Sequence, residues 1–246
     1  MTGFLRALLF NVLFFGGTAV LCLVLWPGLL VKGPHLARMG RIWARWCLWS
    51  LGASASLRHE VRGRAHIARG PVLYAAKHQS AWDTIVFFTI LERPLYVLKE
   101  ELLLIPFVGW YLRRAGMIAI DRRGGAKALR GMIAAASARA AEGHEIVIFP
   151  EGTRTAPGVA RPYQPGVAAL YSRLNLPVVP VALNSGHYWH RRGFAKRPGT
   201  IVIEFLEPIS PGLERETFSR LLQERIETAC ARLSTEAPPS SDGPSS

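Results

Sequence analysis

The chain has 246 residues, half of them hydrophobic, which suffices for the core of one large domain and excludes a disordered protein. Thirty Lys and Arg against seventeen Asp and Glu leave a formal charge of +13, so its partners are anionic: nucleic acid, acidic lipid headgroups or phosphorylated small molecules. Three scattered cysteines, Cys22, Cys47 and Cys230, exclude a disulfide framework and a CxxC metal site.

Residues 7–31 carry no formal charge, and as a helix they extend about 37 Å, enough to cross a bilayer. The apolar stretch is too long for a cleaved leader, and no small-x-small site follows it. Lys32, Arg38, Arg41 and Arg45 come after it and only Arg6 before, so the positive-inside rule puts the body on the cytoplasmic side of the cytoplasmic membrane. Gly16, Gly17 and Pro27 leave open a kinked or re-entrant course. Trp43, Trp46 and Trp49, interleaved with Arg41 and Arg45, have the composition of a helix at headgroup level, a core helix being the plainer alternative.

From Leu57 onward short β-rich runs alternate with helical stretches, which predicts an α/β fold: a mostly parallel central sheet flanked by helices, preceded by N-terminal membrane-associated helices. Strands are expected at 56–61, 72–77, 95–99, 117–120, 145–149, 178–183 and 200–205. Helices are expected at 81–91, 100–113, 125–141, 165–174 and 214–233. Runs such as EIVIF and VVPVAL do not alternate and suit strands covered on both faces. The chain divides into membrane-anchoring helices at 1–55, a catalytic body at 56–235 and a Pro/Ser-rich disordered tail at 236–246.

Three of these strands end in polar bursts, at the sheet edge where open α/β proteins hold their ligands. After VLYAA come His78, Ser80 and Asp83. With the histidine in the turn and the aspartate in the first helical turn, the carboxylate fixes the imidazole tautomer and leaves the other nitrogen as a base. Ser80-x-x-Asp83 also reads as a capping box, so Asp83 has a purely structural alternative. After EIVIF come Glu151, Gly152, Thr153 and Arg154. The guanidinium suits phosphate and the glycine lets backbone approach a ligand, the alternative being a surface salt bridge between Glu151 and Arg154. Asp121, Arg122 and Arg123 follow the fourth strand. Together these suggest proton abstraction beside a bound phosphate, by direct transfer without a covalent enzyme intermediate.

HQSAWD, GMIAIDR, FPEGTR and VVPVAL, in this order and spacing between about residues 57 and 210, resemble the four blocks of the glycerolipid acyltransferases, especially 1-acyl-glycerol-3-phosphate (lysophosphatidic acid) acyltransferases of PlsC type. The resemblance implies transfer from acyl-CoA or acyl-carrier protein to the sn-2 hydroxyl of lysophosphatidic acid, giving phosphatidic acid. It implies His78 as base and Asp83 as its orienting acid, with Glu151, Gly152, Thr153 and Arg154 binding the acceptor and Arg122 assisting with phosphate. Val179, Pro180 and Val181 match a block linked to the acyl side. Neither a metal nor a cofactor beyond the donor is implied. The expected partners are the two substrates and membrane lipid, with no nucleic acid, since the arginines are scattered without a nucleic-acid-binding motif. Backbone amides near Gln79 and Ser80 are the expected oxyanion donors. Lys77 stands where many members have Asn, and Ala119 where many have Phe; neither is expected to touch the base or the phosphate fork. Other lysophospholipids, a lipoamino acid or glycerol-3-phosphate are alternative acceptors, and a non-catalytic membrane-binding protein is the rival outside enzymes.

Overall fold

In the computed structural model, residues 3–31, 33–191 and 193–237 are described, so all but the first two residues of the tail read at 236–246 fall outside the described residues. Seven strands form one sheet: β1 (Leu57–Arg62), β2 (Leu73–Ala76), β3 (Pro94–Lys99), β4 (Ile118–Ile120), β5 (Glu145–Ile148), β6 (Val178–Leu183) and β7 (Gly199–Phe205). Their spatial order is β1-β7-β6-β2-β5-β3-β4. Every neighbouring pair is parallel except β6 and β7. Each predicted strand is present, and the mostly parallel α/β arrangement stands.

The apolar strands are covered on both faces, as uninterrupted hydrophobic runs require. Successive side chains point to opposite faces. Tyr74 and Ala76 therefore join a core with α3 (His35–Ala55) and α4 (Asp83–Ile90), while Leu73 and Ala75 join one with α6 (Gly125–Ala141), α7 (Pro165–Leu174) and α8 (Arg215–Thr235). Pro180 lies within β6, where a missing N–H normally excludes it. The β6–β7 ladder bends away here: Leu206 N–H donates to Pro180 O at 2.9 Å, and pairing resumes only at the Val178–Ile209 bridge.

The helix predicted at 100–113 is broken into a 3₁₀ turn (Glu100–Leu104) and α5 (Val108–Arg114). Pro106 lacks an N–H and disfavours helical backbone at Ile105, and Phe107 adopts φ 61° at the break.

At the N-terminus, α1 (Gly3–Asn11), a π turn (Val12–Gly16) and α2 (Gly17–Val24) run as one apolar helix, long enough to cross a membrane and little buried. At the π turn Leu13 O accepts the Gly17 backbone N–H, and Trp46 Nε1–H donates to the same oxygen at 3.0 Å. Trp46 approaches so closely that a Cβ on Gly17 would lie 2.0 Å from its Nε1, so the glycine is a packing requirement. Trp43 Nε1–H donates to Thr18 Oγ1, and only Trp49 of the three tryptophans is exposed. α3 is thus both core helix and bracket: Ala44, Cys47 and Leu51 face the body while Trp43 and Trp46 hold the apolar helix. Arg41, expected near headgroups, instead donates to the carbonyls of Phe88, Leu91 and Glu92 at the end of α4.

Candidate active site

β2, β5 and β6 are adjacent and parallel, so their carboxyl ends deliver His78, Glu151 and Ser185 to one place. His78 Nδ1 lies 3.0 Å from Asp83 Oδ2. That carboxyl group also accepts the N–H groups of Gln79 (2.6 Å) and Ser80 (2.8 Å), the Ser80 hydroxyl (3.1 Å) and the Ser185 hydroxyl (2.5 Å). With so many donors aimed at Asp83, Nδ1 carries the proton and donates it, which leaves the Nε2 lone pair free. Nε2 has no protein partner among the described residues, and the ring stacks on Phe149 with centroids 4.0 Å apart. Thr155 donates both its N–H and its hydroxyl to His78 O. The helix begins at Asp83 itself, and its carboxylate reaches back to the Ser80 N–H as a capping residue does. Cap and orienting acid are one side chain.

The same bonds overturn one expectation. The amides of Gln79 and Ser80 donate to Asp83, so they do not serve as oxyanion donors.

Glu151 does not line the ligand space. It is 3 % exposed, and its Oε1 accepts the His78 N–H at 3.3 Å and pairs with Lys77 Nζ at 3.4 Å. Its Oε2 is buried without a partner, and burial pushes its pKa up to about 7 against the pull of Lys77. The expected acceptor contact and the alternative Glu151–Arg154 bridge are both replaced by an internal strut. Lys77, 1 % exposed, completes it: Nζ reaches the Glu227 oxygens at 2.7 and 2.8 Å and Val159 O at 3.2 Å, and Tyr163 OH donates to Glu227 Oε1. Lys77 Nζ touches neither the His78 ring nor the arginines, as expected, but it bears on the His78 backbone through Glu151.

Above these groups opens a groove of about 1050 Å³, lined by His78, Arg122, Gly152, Thr153 and Arg154 at its polar end. Its apolar walls come from α2 and α3 on one side and from Phe88, Tyr96 and the Leu102–Leu112 segment on the other. Burial lowers the Arg122 and Arg154 pKa values below the usual guanidinium range, Glu101 opposing this at Arg122 and Asp83 at Arg154. Neither has a hydrogen-bond or ion-pair partner among the described residues, as a site awaiting an anion requires. Gly152 adopts φ +67°, and a Cβ there would lie 3.2 Å from Gln164 Cγ and 3.6 Å from the Arg122 guanidinium, so both side chains pack against this backbone.

Val179, Pro180 and Val181 are buried within β6, the two valines in the core shared with α3 and α4, and none lines the groove. Their apolar character belongs to the sheet, so the acyl-side expectation is replaced by a supporting one. Ser185 was missed, although Asn184 and Ser185 repeat the pattern of a polar burst closing a buried strand. Among the described residues no group of three His, Cys, Asp or Glu side chains comes together as a metal site.

An imidazole steadied by a carboxylate at the carboxyl edge of a parallel sheet, with guanidiniums and a lipid-sized groove beside it, defines a class: α/β proteins equipped for base chemistry on an anionic amphiphile. The model of the Acyltransferase family matches residues 58–184, and the chain belongs to that family. It is 40% identical over 161 residues to a 1-acyl-sn-glycerol-3-phosphate acyltransferase of Pseudomonas aeruginosa, a match covering 65% of this chain and 63% of that one. A lyso-ornithine lipid O-acyltransferase from the same species is 29% identical over 221 residues, covering 81% and 82%. The fold matches the crystal structure of the 1-acyl-sn-glycerophosphate (LPA) acyltransferase PlsC from Thermotoga maritima with a TM-score of 0.73 at 22% identity, across 94% of this chain and 98% of that one.

Proposed function

We propose that the chain is a 1-acyl-sn-glycerol-3-phosphate O-acyltransferase, moving an acyl group from acyl-CoA or acyl-carrier protein to the sn-2 hydroxyl of lysophosphatidic acid. The observation that carries this is the shared cavity: His78, Arg122, Thr153 and Arg154 line one groove whose other walls are mostly apolar, with Lys99, Asp121, Gln164 and Arg191 as further polar members. The acceptor's phosphate meets the guanidiniums, its chain lies along the apolar walls, and its hydroxyl comes to His78 Nε2. Nε2 removes the hydroxyl proton as the oxygen attacks the thioester carbonyl. Collapse of the tetrahedral intermediate breaks the C–S bond, and the imidazolium returns the proton to the departing thiolate. Asp83 stays hydrogen-bonded to Nδ1 throughout and stabilises the imidazolium.

The apolar helix is tied to the body at both ends, Arg6 to Ser56 Oγ and Cys22 O to the Tyr111 hydroxyl. That attachment supports a helix lying along the body in the membrane, with the groove mouth meeting lipid. The basic residues after it favour the cytoplasmic face of the cytoplasmic membrane.

A second acceptor is favoured by the lyso-ornithine lipid relative, whose match covers most of both chains. Two unpaired guanidiniums beside the base fit a phosphate better than a headgroup bearing an amine. Purified protein in vesicles, given one labelled acyl-CoA and a panel of lysophospholipids, lyso-ornithine lipid and glycerol-3-phosphate, tests the proposal. Labelled phosphatidate as the dominant product supports it; dominant labelling of another acceptor reassigns the substrate.

A further inference from the structure

A second, smaller cavity of about 260 Å³ lies on the far side of Arg154, between the loop after β5 and the turn after β6. Gln79, Arg154, Arg161, Gly186, His190 and Arg191 line it, and no residue of the first 55 does. No carboxylate lines it, and Arg161 and Arg191 have no ion-pair partner among the described residues. The guanidiniums oppose one another: Arg191 works with burial to lower the Arg154 pKa. His190 Nε2 is buried without a partner. Like charges and an unsatisfied donor or acceptor around an acid-free cavity are costly unless an anion enters.

Two features decide which anion. Arg154 and Arg191 line both this cavity and the groove, so the two spaces meet beside the base. The wall is also continuous with the site, because Thr155 holds His78 O and Gly186 N–H donates to Gln79 Oε1 at 2.9 Å. The groove is bounded by the apolar helix, whereas this cavity is not, and its rim residues Arg161 and Arg191 are exposed. A ligand arriving from water, not from lipid, reaches it.

We infer that this cavity is the docking subsite for a phosphate of the acyl donor's carrier arm, separate from the acceptor-phosphate site at Arg122. The inference rests on the acyl-transfer reading. It places the donor's anionic end on the aqueous side of Arg154 and its acyl chain in the groove, with the thioester passing His78 between them. Acyl-CoA and acyl-carrier protein share the relevant chemistry, a phosphate attached to pantetheine.

The test compares wild type with Arg161→Gln, Arg191→Gln and the double variant, using acyl-CoA, acyl-carrier protein and acyl-pantetheine, which has no phosphate. Both side chains are exposed, so folding is expected to survive. Arg161→Gln, at a residue that lines this cavity and not the groove, is expected to raise KM for acyl-CoA about tenfold or more, leave KM for lysophosphatidate unchanged, and match wild type with acyl-pantetheine, and the double variant is expected to raise KM for acyl-CoA further. An equal loss with acyl-carrier protein assigns the pantetheine phosphate; a loss with acyl-CoA alone assigns the nucleotide phosphates. A rise in KM for lysophosphatidate instead, or equal losses with all three donors, overturns the inference. If wild type acylates no acceptor, the functional reading fails by itself. Calorimetric CoA binding then decides: about tenfold weakening in the double variant keeps the subsite, and unchanged or undetectable binding removes it.

Discussion

Two carboxylates meet at His78 and are treated in opposite ways. Asp83 receives two backbone N–H groups, two hydroxyls and the imidazole. Glu151 receives one backbone N–H and a lysine, and leaves one oxygen buried with nothing. The sequence assigns Asp83 the task of orienting His78 and Glu151 that of binding the acceptor, and neither lines the groove. Surroundings separate them: Asp83 is held as a fixed acceptor that sets the tautomer of His78, while Glu151 is a strained strut under the His78 backbone.

That contrast can be broken at several points. Asp83→Asn has the largest expected effect short of removing the imidazole. An amide can present its NH₂ to Nδ1 and favour the wrong tautomer, so kcat should fall about 10³-fold with KM for lysophosphatidate little changed. Steady-state kinetics on the folded variant checks this.

Lys77→Met comes next. It leaves Glu151 and Glu227 without their shared cation and should cost about 3 kcal/mol of folding stability. Adding Glu227→Gln should recover part of the loss. A double-mutant cycle by urea unfolding measures the coupling, and simple additivity would dissolve the proposed network.

Glu151→Gln sharpens the comparison through pH. The raised pKa of Glu151 means that the folded state holds this proton more tightly than the unfolded chain. Its contribution to stability is therefore full below the ordinary carboxyl range and is lost as pH rises through about 7. Between pH 5 and 8 wild type should lose about 2 kcal/mol more than Glu151→Gln, measured by urea unfolding at the two pH values.

Ser185→Ala is the mildest. It removes one of the five donors to Asp83, and about tenfold in kcat is expected, with Ser185→Thr restoring most of it if the hydroxyl acts by positioning the carboxylate.

Much of the architecture was legible because buried parallel strands leave uninterrupted apolar runs: EIVIF, VLYAA and VVPVAL declared themselves, and the polar residues closing the first two marked the sheet edge holding the site. The His78–Asp83 pair could be found because its partners are five residues apart and the turn between them permits contact. Lys77 was not legible. A lysine ending a strand reads as exposed, and Glu227, which neutralises it, lies 150 positions away on α8. Glu151 was misassigned for the same reason, since its partner Lys77 comes from another strand end. The valines of β6 were assigned to substrate when their hydrophobicity is already explained by the sheet. Pro106 was the visible signal for the break at 100–113, outweighed by the helical composition around it.

The central claim is that the unpartnered Nε2 of His78, opening into the groove, is the base. His78→Ala, purified in lipid vesicles and assayed for labelled phosphatidate beside wild type, addresses it without intermediaries. Transfer at least a thousandfold slower in a variant that still folds and binds lysophosphatidate is the expected outcome. Near-normal transfer by that variant would mean that the acyl group moves without this imidazole.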